Sequence, residues 1–189
     1  IAVQVEKSVE VLMLYLASLR TGHIFLPLNP AYQIAEVAYF LANAEPALVV
    51  CAPQQFSAVS KMAFQSGTQY VVTLDDQRGG SLLQRAAHHS DQHTPVHRQA
   101  DDIAAIIYTS GTTGRSKGAM LSHGNLLSNL EQVDLVVDSH IEVGKECVLT
   151  ALPIYHIFAF TVNLLAFYSK GAHNVLVPSP RPIQNCQRA

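Results

Sequence analysis

Short apolar segments alternate with longer amphipathic segments along most of the chain, and this alternation limits the folds that it can adopt. Strands joined by helices form βαβ units, in which neighbouring strands run parallel. We therefore predict an α/β fold, with a largely parallel sheet flanked by helices. The predicted strands are 1–5, 24–28, 47–51, 70–74, 103–108, 147–152 and 175–177, and the predicted helices are about 8–20, 34–44, 56–65, 81–87, 122–135 and 155–168.

Helical spacing of apolar residues also predicts which side chains face the core. In the first helix Ser8 is the predicted N-cap, and Gly22 is predicted to end the helix. The side chains predicted to share a core-facing surface are Val9, Leu12, Leu16 and Leu19 in the first helix and Val37, Phe40 and Leu41 in the second.

A polar, histidine-rich segment at about 75–102 interrupts the alternation. It contains Gly79-Gly80 and four histidines, so two interpretations are a metal site and a solvent-exposed loop. No carboxylate or cysteine has suitable spacing as a further ligand, so we favour the loop and assign no metal-binding residue. The histidines concerned are His88, His89, His93 and His97.

Composition narrows the range of partners and compartments. The net charge is -2, which argues against nucleic-acid binding because such proteins present a basic face. The three cysteines, Cys51, Cys147 and Cys186, are widely separated and are typical of thiols in a reducing compartment, so we expect a cytoplasmic protein. No uncharged apolar run is long enough to span a bilayer, while peripheral membrane contact stays open.

The chain is apolar, with 49% hydrophobic residues and a mean hydropathy of +0.18. Strands buried on both faces would account for this, as would a surface that another segment covers. Because the sequence opens within a predicted strand and does not begin with Met, we expect part of a larger domain.

The segment 108–118 is rich in glycine and hydroxyl side chains and also carries an arginine and a lysine. Glycine permits tight turns and a close approach to a ligand, and successive backbone N–H groups can point at one anion. A polyphosphate cradle is the predicted role. Its predicted members are the hydroxyls of Thr109, Ser110, Thr112 and Thr113, the cation Lys117, and the glycines Gly111, Gly114 and Gly118.

Other phosphate motifs fit this segment poorly. A Walker loop requires glycine where Ser116 stands, and the dinucleotide pattern G-x-G-x-x-G is absent. A flexible linker is disfavoured because the segment lies between two apolar elements and contains Lys117.

Residues 109–118 read T-S-G-T-T-G-R-S-K-G and resemble the signature T-S-G-T-T-G-x-P-K-G of the adenylate-forming superfamily. Acyl-CoA synthetases, peptide-synthetase adenylation domains and firefly-type luciferases belong to this superfamily. Ser116 replaces the proline, as in some malonyl-CoA synthetases. Two further segments, 19–29 and 151–159, resemble the family's A-G-x-x-x-x-P-L-[ND] and P-L-x-H-x-x-[GA] segments.

The resemblance implies a mechanism. The substrate carboxylate attacks the α-phosphorus of ATP, pyrophosphate leaves, and the thiol of CoA then displaces AMP. The loop hydroxyls would bind phosphate oxygens with Mg²⁺, Lys117 would balance the charge of pyrophosphate, and the glycines would shape the loop. His156 would lie near the acyl pocket, for which the apolar candidates are Ile157, Phe158, Phe160 and Leu164.

The family's later motifs, G-Y-G-x-T-E and T-G-D, and its smaller C-terminal domain are not in this sequence. We therefore expect 1–189 to be part of the large N-terminal domain and to be inactive alone.

The chain resembles malonyl-CoA synthetases up to about Asn129 and bacterial long-chain fatty acyl-CoA ligases from about Leu130. A fatty acid is favoured, because no second cation beside His156 would hold a dicarboxylate; malonate, and a non-catalytic remnant that only binds phosphate, stay open.

Overall fold

The structure is a computed structural model that describes residues 1–109, 115–137 and 141–177, except for the side chain of Asn163. The chain divides into two compact units, Ile1–Ser128 and Asn129–Ala189.

A four-stranded parallel sheet forms the centre of the first unit. Its strand order is β2-β1-β3-β4, with Val3 opposite Val50 and Cys51 opposite Thr73. These four strands alternate with helices along the chain, which confirms the predicted α/β fold. The elements are β1 (Ala2–Gln4), α1 (Val9–Arg20), β2 (Leu26–Pro27), α2 (Ile34–Ala44), β3 (Leu48–Cys51), α3 (Phe56–Gln65), β4 (Tyr70–Thr73) and α4 (Ser81–Ala86), with a short 3₁₀ turn at Pro53–Gln55.

A fifth strand, β5 (Ile103–Thr109), extends this sheet beside β2. The N–H of Phe25 donates to the carbonyl of Ala104 at 3.0 Å, and the N–H of Ile106 donates to the carbonyl of Phe25 at 3.0 Å. Phe25 and Ala105 are paired in parallel, so β5 has the same direction as β2. The carboxyl end of β5 therefore lies at the same edge of the sheet as the other carboxyl ends.

Helices cover both faces of the sheet. On one face α2 and α3 bury their apolar sides, including Phe40 at 1% exposure and Ala63 at 0% exposure, against the strands. Successive side chains of a strand point to opposite faces. Leu26 belongs to this core, and the adjacent Phe25 packs against Tyr15 of α1 with ring centroids 5.1 Å apart. Helix α1 therefore covers the other face.

Helices α2 and α3 begin and end where their apolar spacing predicts, and the predicted core-facing residues of α2 are buried.

The prediction for α1 is right about its N-cap, since the Ser8 hydroxyl accepts from the N–H of Val11 at 3.3 Å. The predicted face of α1 is wrong. Val9 is 53% exposed, and the predicted Leu12, Leu16 and Leu19 are only half-buried, whereas the buried side chains are Val11, Tyr15 and Ser18.

Ser18 explains this error. Its hydroxyl donates to the carbonyl of Leu14 at 2.7 Å, so a polar side chain can be buried without losing its hydrogen bond. The spacing of apolar residues cannot show that a polar side chain is buried when its hydrogen-bond partner belongs to the same helix.

Most of the polar segment 75–102 is exposed, including its four histidines, as predicted. Two contacts fix its end to α1: the N–H of Val96 donates to the carbonyl of Arg20 at 2.8 Å, and Arg98 Nη2 donates to the carbonyl of Gly22 at 2.6 Å. Gly22 has a φ of +70°, and a Cβ there would lie 2.4 Å from Arg98 Nε. Glycine therefore ends the helix and also leaves room for the guanidinium group.

The segment after β5 differs from the prediction. We expected residues 109–118 to connect a strand to a helix, but Lys117–Ser122 is a strand, β6, which pairs antiparallel with β5. Helix α5 (His123–Val137) begins next, close to its predicted start. The glycine-rich segment is therefore the connection of a β-hairpin. The six residues of β6 show no clear alternation of apolar and polar side chains, so their sequence alone does not predict a strand. Pairing with β5 stabilises the strand instead.

The second unit contains the parallel pair β7 (Cys147–Thr150) and β8 (His173–Leu176). Between them the predicted helix is present as a π-helical segment, Ala159–Ala166, followed by α6 (Phe167–Ser169). Phe160 and Leu164 are buried, at 1% and 5% exposure. Within the described residues, every helix is too short or too polar to span a lipid bilayer.

Two of the three cysteines lie in the described residues, and both are free thiols. Burial raises the pKa of Cys51 to about 11, so it is an inert core residue, whereas Cys147 is exposed. Cys186 lies outside the described residues.

Replacement of Phe40 by alanine should destabilise the first unit strongly. The ring is 1% exposed and its centroid lies 4.3 Å from that of Tyr108, so truncation leaves a cavity. We expect the free energy of unfolding to fall by about 3–5 kcal/mol, measured by urea denaturation. Phe64→Ala, at a ring that is 57% exposed, is the matched control and should change it by no more than about 0.5 kcal/mol. Equal effects of the two substitutions would contradict the assigned core.

Candidate phosphate-binding site

The mouth of the β5–β6 hairpin brings together two of the predicted site residues. Thr109, the last residue of β5, is paired with Lys117, the first residue of β6. Residues directly opposite in an antiparallel pair share a face, with Cβ atoms roughly 4.5–5.5 Å apart. Both side chains are exposed. A hydroxyl group and an ammonium group thus flank the two ends of the glycine-rich connection.

Five predicted members of the cradle lie outside the described residues, so their roles stay predictions. These are Ser110, Gly111, Thr112, Thr113 and Gly114.

Gly118 lies on β6 opposite Tyr108. A Cβ at this position would lie 2.9 Å from Ile106 Cγ2 and 3.5 Å from the ring of Tyr108. Glycine is therefore required here by the close packing of side chains from β5. A larger residue here would separate the hairpin strands, while the role of Gly118 in shaping the loop stays a prediction.

Helix α2 contacts both strands at the mouth of the hairpin. The hydroxyl of Tyr39 donates to the carbonyl of Ser116 at 3.0 Å, and the hydroxyl of Tyr108 donates to Asn43 Oδ1 at 2.5 Å. Arg115 Cζ lies 5.9 Å from the centroid of the Tyr39 ring, within range of a cation–π interaction. Sequence reasoning did not find Tyr39 and Asn43. Their four-residue spacing on one helix face was visible, but their partners were not.

The electrostatics at the hairpin mouth favour an anion. Neither Arg115 nor Lys117 forms an ion pair with a carboxylate among the described residues. Burial, and to a smaller extent the charge of Tyr39, raises the pKa of Tyr108, which keeps its hydroxyl protonated as a donor to Asn43. Two cations are therefore available to a ligand.

His156, the other predicted catalytic residue, belongs to the second unit and is exposed. Its Nδ1 accepts from the N–H of Phe158 at 3.3 Å, which leaves Nε2 as the ring atom able to meet a ligand. Of its apolar neighbours, Ile157 and Phe158 are 38% and 50% exposed. Phe160 and Leu164 are buried in the interior of this unit, and the role of all four in an acyl pocket stays a prediction.

A cavity of about 540 Å³ lies at the carboxyl end of β1. Gln4 lines it with a side chain that is 2% exposed, and Gln4 Oε1 has no hydrogen-bond partner. β1 has β2 on one side and β3 on the other, and ligands of open parallel sheets bind at the carboxyl ends where the strand order reverses. The cavity is lined by apolar and amide side chains and carries no charged residue: Gln4, Pro30, Ala31, Tyr32, Gln33, Ile34, Val37, Gln54, Gln55, Ala58, Val59 and Met62.

Comparison with known proteins identifies the family. The model of the AMP-binding enzyme family matches residues 1–188, and the chain belongs to this family. The chain is 34% identical over 194 residues to the long-chain-fatty-acid–CoA ligase of Escherichia coli O157:H7, an alignment that covers 87% of this chain and 35% of that protein. The chain thus spans about a third of the length of such relatives.

Solved structures agree with this assignment. The ATP-bound crystal structure of MatB from Rhodopseudomonas palustris superposes with a TM-score of 0.86 at 44% identity, covering 96% of this chain and 35% of that one. A long-chain-fatty-acid–CoA ligase from Archaeoglobus fulgidus shares the fold, with a TM-score of 0.80 at 24% identity over 93% of this chain and 34% of that one.

Replacement of Gly118 by valine should distort the hairpin. The added side chain would overlap with Ile106 Cγ2, and overpacking of this kind costs about 1–3 kcal/mol of unfolding free energy. Ala119→Val is the matched control, because Ala119 is exposed on the same strand and valine suits a strand. Thermal unfolding of the two variants measures the difference. Equal melting temperatures would show that Gly118 is not confined by its neighbours.

Proposed function

We propose that this chain supplies the ATP-phosphate cradle of an AMP-forming acid–CoA ligase. The observation that carries the proposal is the pairing of Thr109 with Lys117 at the mouth of the hairpin, in a chain of the AMP-binding enzyme family. The reaction joins a carboxylic acid to AMP and then transfers the acyl group to CoA.

In the first step a carboxylate oxygen attacks the α-phosphorus of ATP, and the bond from that phosphorus to the bridging oxygen of pyrophosphate breaks. Negative charge grows on the departing pyrophosphate. The hydroxyl of Thr109 donates to a phosphate oxygen, and Lys117 Nζ neutralises the developing charge. A preorganised cation of this kind stabilises the transition state more than the ground state. The predicted contributions of residues 110–114 would add to this effect.

Two further participants belong to the proposal. Mg²⁺ accompanies ATP, and we assign no protein ligand to it, because the described residues contain no group of three side chains suited to a metal. CoA receives the acyl group. The cavity beside Gln4 is our candidate for the amide-bearing arm of CoA, because the unpaired Oε1 can accept an N–H group.

A fatty acid is the substrate that we favour. Ile157 and Phe158 present exposed apolar surface next to His156, and between His156 and Lys170 the chain has no cation to hold a second carboxylate. These residues lie in the second unit, where the sequence resembles bacterial long-chain ligases. Malonate is the second candidate, because the identity to MatB, a malonyl-CoA synthetase, is 44% over 96% of the chain.

A direct assay separates the two candidates. In a protein of the full length of these relatives, acid-dependent pyrophosphate release should be faster with a long-chain fatty acid than with malonate. Faster release with malonate would select the second candidate, and no release with either would favour a non-catalytic remnant.

Lys117→Ala should slow adenylate formation far more than it weakens binding of the acid. We expect ATP–pyrophosphate exchange to fall on the order of 10²–10³-fold, because one preorganised partner of the leaving group is lost. Affinity for the acid, measured by equilibrium binding, should stay unchanged. Lys145→Ala, at an exposed lysine of the second unit, is the matched control. Exchange by Lys117→Ala within about threefold of the parent, roughly 0.7 kcal/mol, would refute the role of Lys117.

A further inference from the structure

One residue outside the glycine-rich segment controls the point where β6 begins. Tyr39 of α2 donates its hydroxyl hydrogen to the carbonyl oxygen of Ser116 at 3.0 Å. That carbonyl and the N–H of Lys117 belong to the same planar peptide unit. The hydrogen bond therefore holds the peptide plane from which the backbone of Lys117 continues.

The ring of Tyr39 is itself held in place. Its centroid lies 5.5 Å from that of Phe40 and 6.4 Å from that of Tyr108, with an edge-on arrangement to the latter. Tyr108 is in turn bonded through its hydroxyl to Asn43, one helical turn after Tyr39. Helix α2 thus holds β5 and the start of β6 at a fixed separation.

Arg115 adds a second contact on the same ring. Its guanidinium carbon lies 5.9 Å from the ring centroid of Tyr39, and Arg115 directly precedes Ser116 in the chain. A phenylalanine at position 39 would retain the ring contacts and lose only the hydrogen bond to Ser116. The two functions of the side chain can therefore be separated by one conservative substitution.

We propose that Tyr39 is a positioning residue that directs Lys117 through the carbonyl of Ser116; this inference rests on the proposed function. Without the hydrogen bond the peptide plane between Ser116 and Lys117 can rotate, and the ammonium group spends less time where the pyrophosphate charge develops. Tyr39 does not contact the acid in this account. Its loss acts on the rate of adenylate formation and leaves binding of the acid unchanged.

The test compares Tyr39→Phe with Tyr70→Phe in the full-length protein, by ATP–pyrophosphate exchange. Tyr70 is 56% exposed on β4, at the edge of the parallel sheet away from β5, and its substitution removes the same hydroxyl group. We expect Tyr39→Phe to lower kcat by about tenfold with the KM for the acid unchanged, and Tyr70→Phe to leave both unchanged. Parental kcat in Tyr39→Phe, or an equal loss in both variants, would overturn the inference.

A double-mutant cycle with Lys117→Ala distinguishes positioning from general support of the fold. If Tyr39 acts through Lys117, adding Tyr39→Phe to Lys117→Ala should reduce the exchange rate by less than about twofold. A full further tenfold loss would show that Tyr39 acts independently of Lys117 and would overturn the inference. No exchange in the unsubstituted protein would instead refute the proposed function, and the inference with it.

Discussion

Antiparallel pairing between β5 and β6 is the interaction on which the candidate site depends. It holds the two ends of the glycine-rich connection together, with Thr109 opposite Lys117. β5 is fixed in turn to the parallel sheet by the two backbone hydrogen bonds of Phe25. The position of the site therefore follows from a continuous set of backbone contacts, which begins in the buried sheet and ends at the exposed mouth of the hairpin.

Helix α2 links the stability of the core to the geometry of the site. Phe40 is buried between α2 and the sheet, and the adjacent Tyr39 meets the hairpin beside Ser116. Neighbouring residues of one helix thus pack the core and hold the start of β6. Because the helix is fixed by its buried face, its half-exposed face can hold the hairpin without moving. Arg115 and Lys117 at the hairpin mouth have no carboxylate partner among the described residues. The negative charge of a phosphate group would balance their positive charge.

Local patterns in the sequence predicted the elements well and their long-range contacts poorly. The bounds of α2 and α3 could be predicted because apolar residues recur at helical spacing, and the glycine-rich segment was visible from its composition. β6 was missed because its pairing with β5 stabilises it. The contact of Tyr39 with Ser116 joins residues 77 positions apart, and nothing local to either residue indicates the other. Gln4 was missed for the same reason, since its cavity is lined by residues of α2, α3 and the turns before them, which only the folded sheet brings together.

We propose that the hairpin mouth holds the polyphosphate of ATP. A crystal structure of the full-length protein with Mg²⁺ and a non-hydrolysable ATP analogue would show where the phosphates bind. We expect phosphate oxygens within about 3 Å of the Thr109 hydroxyl and of Lys117 Nζ. A triphosphate bound elsewhere, with Thr109 and Lys117 both in contact with solvent, would contradict it.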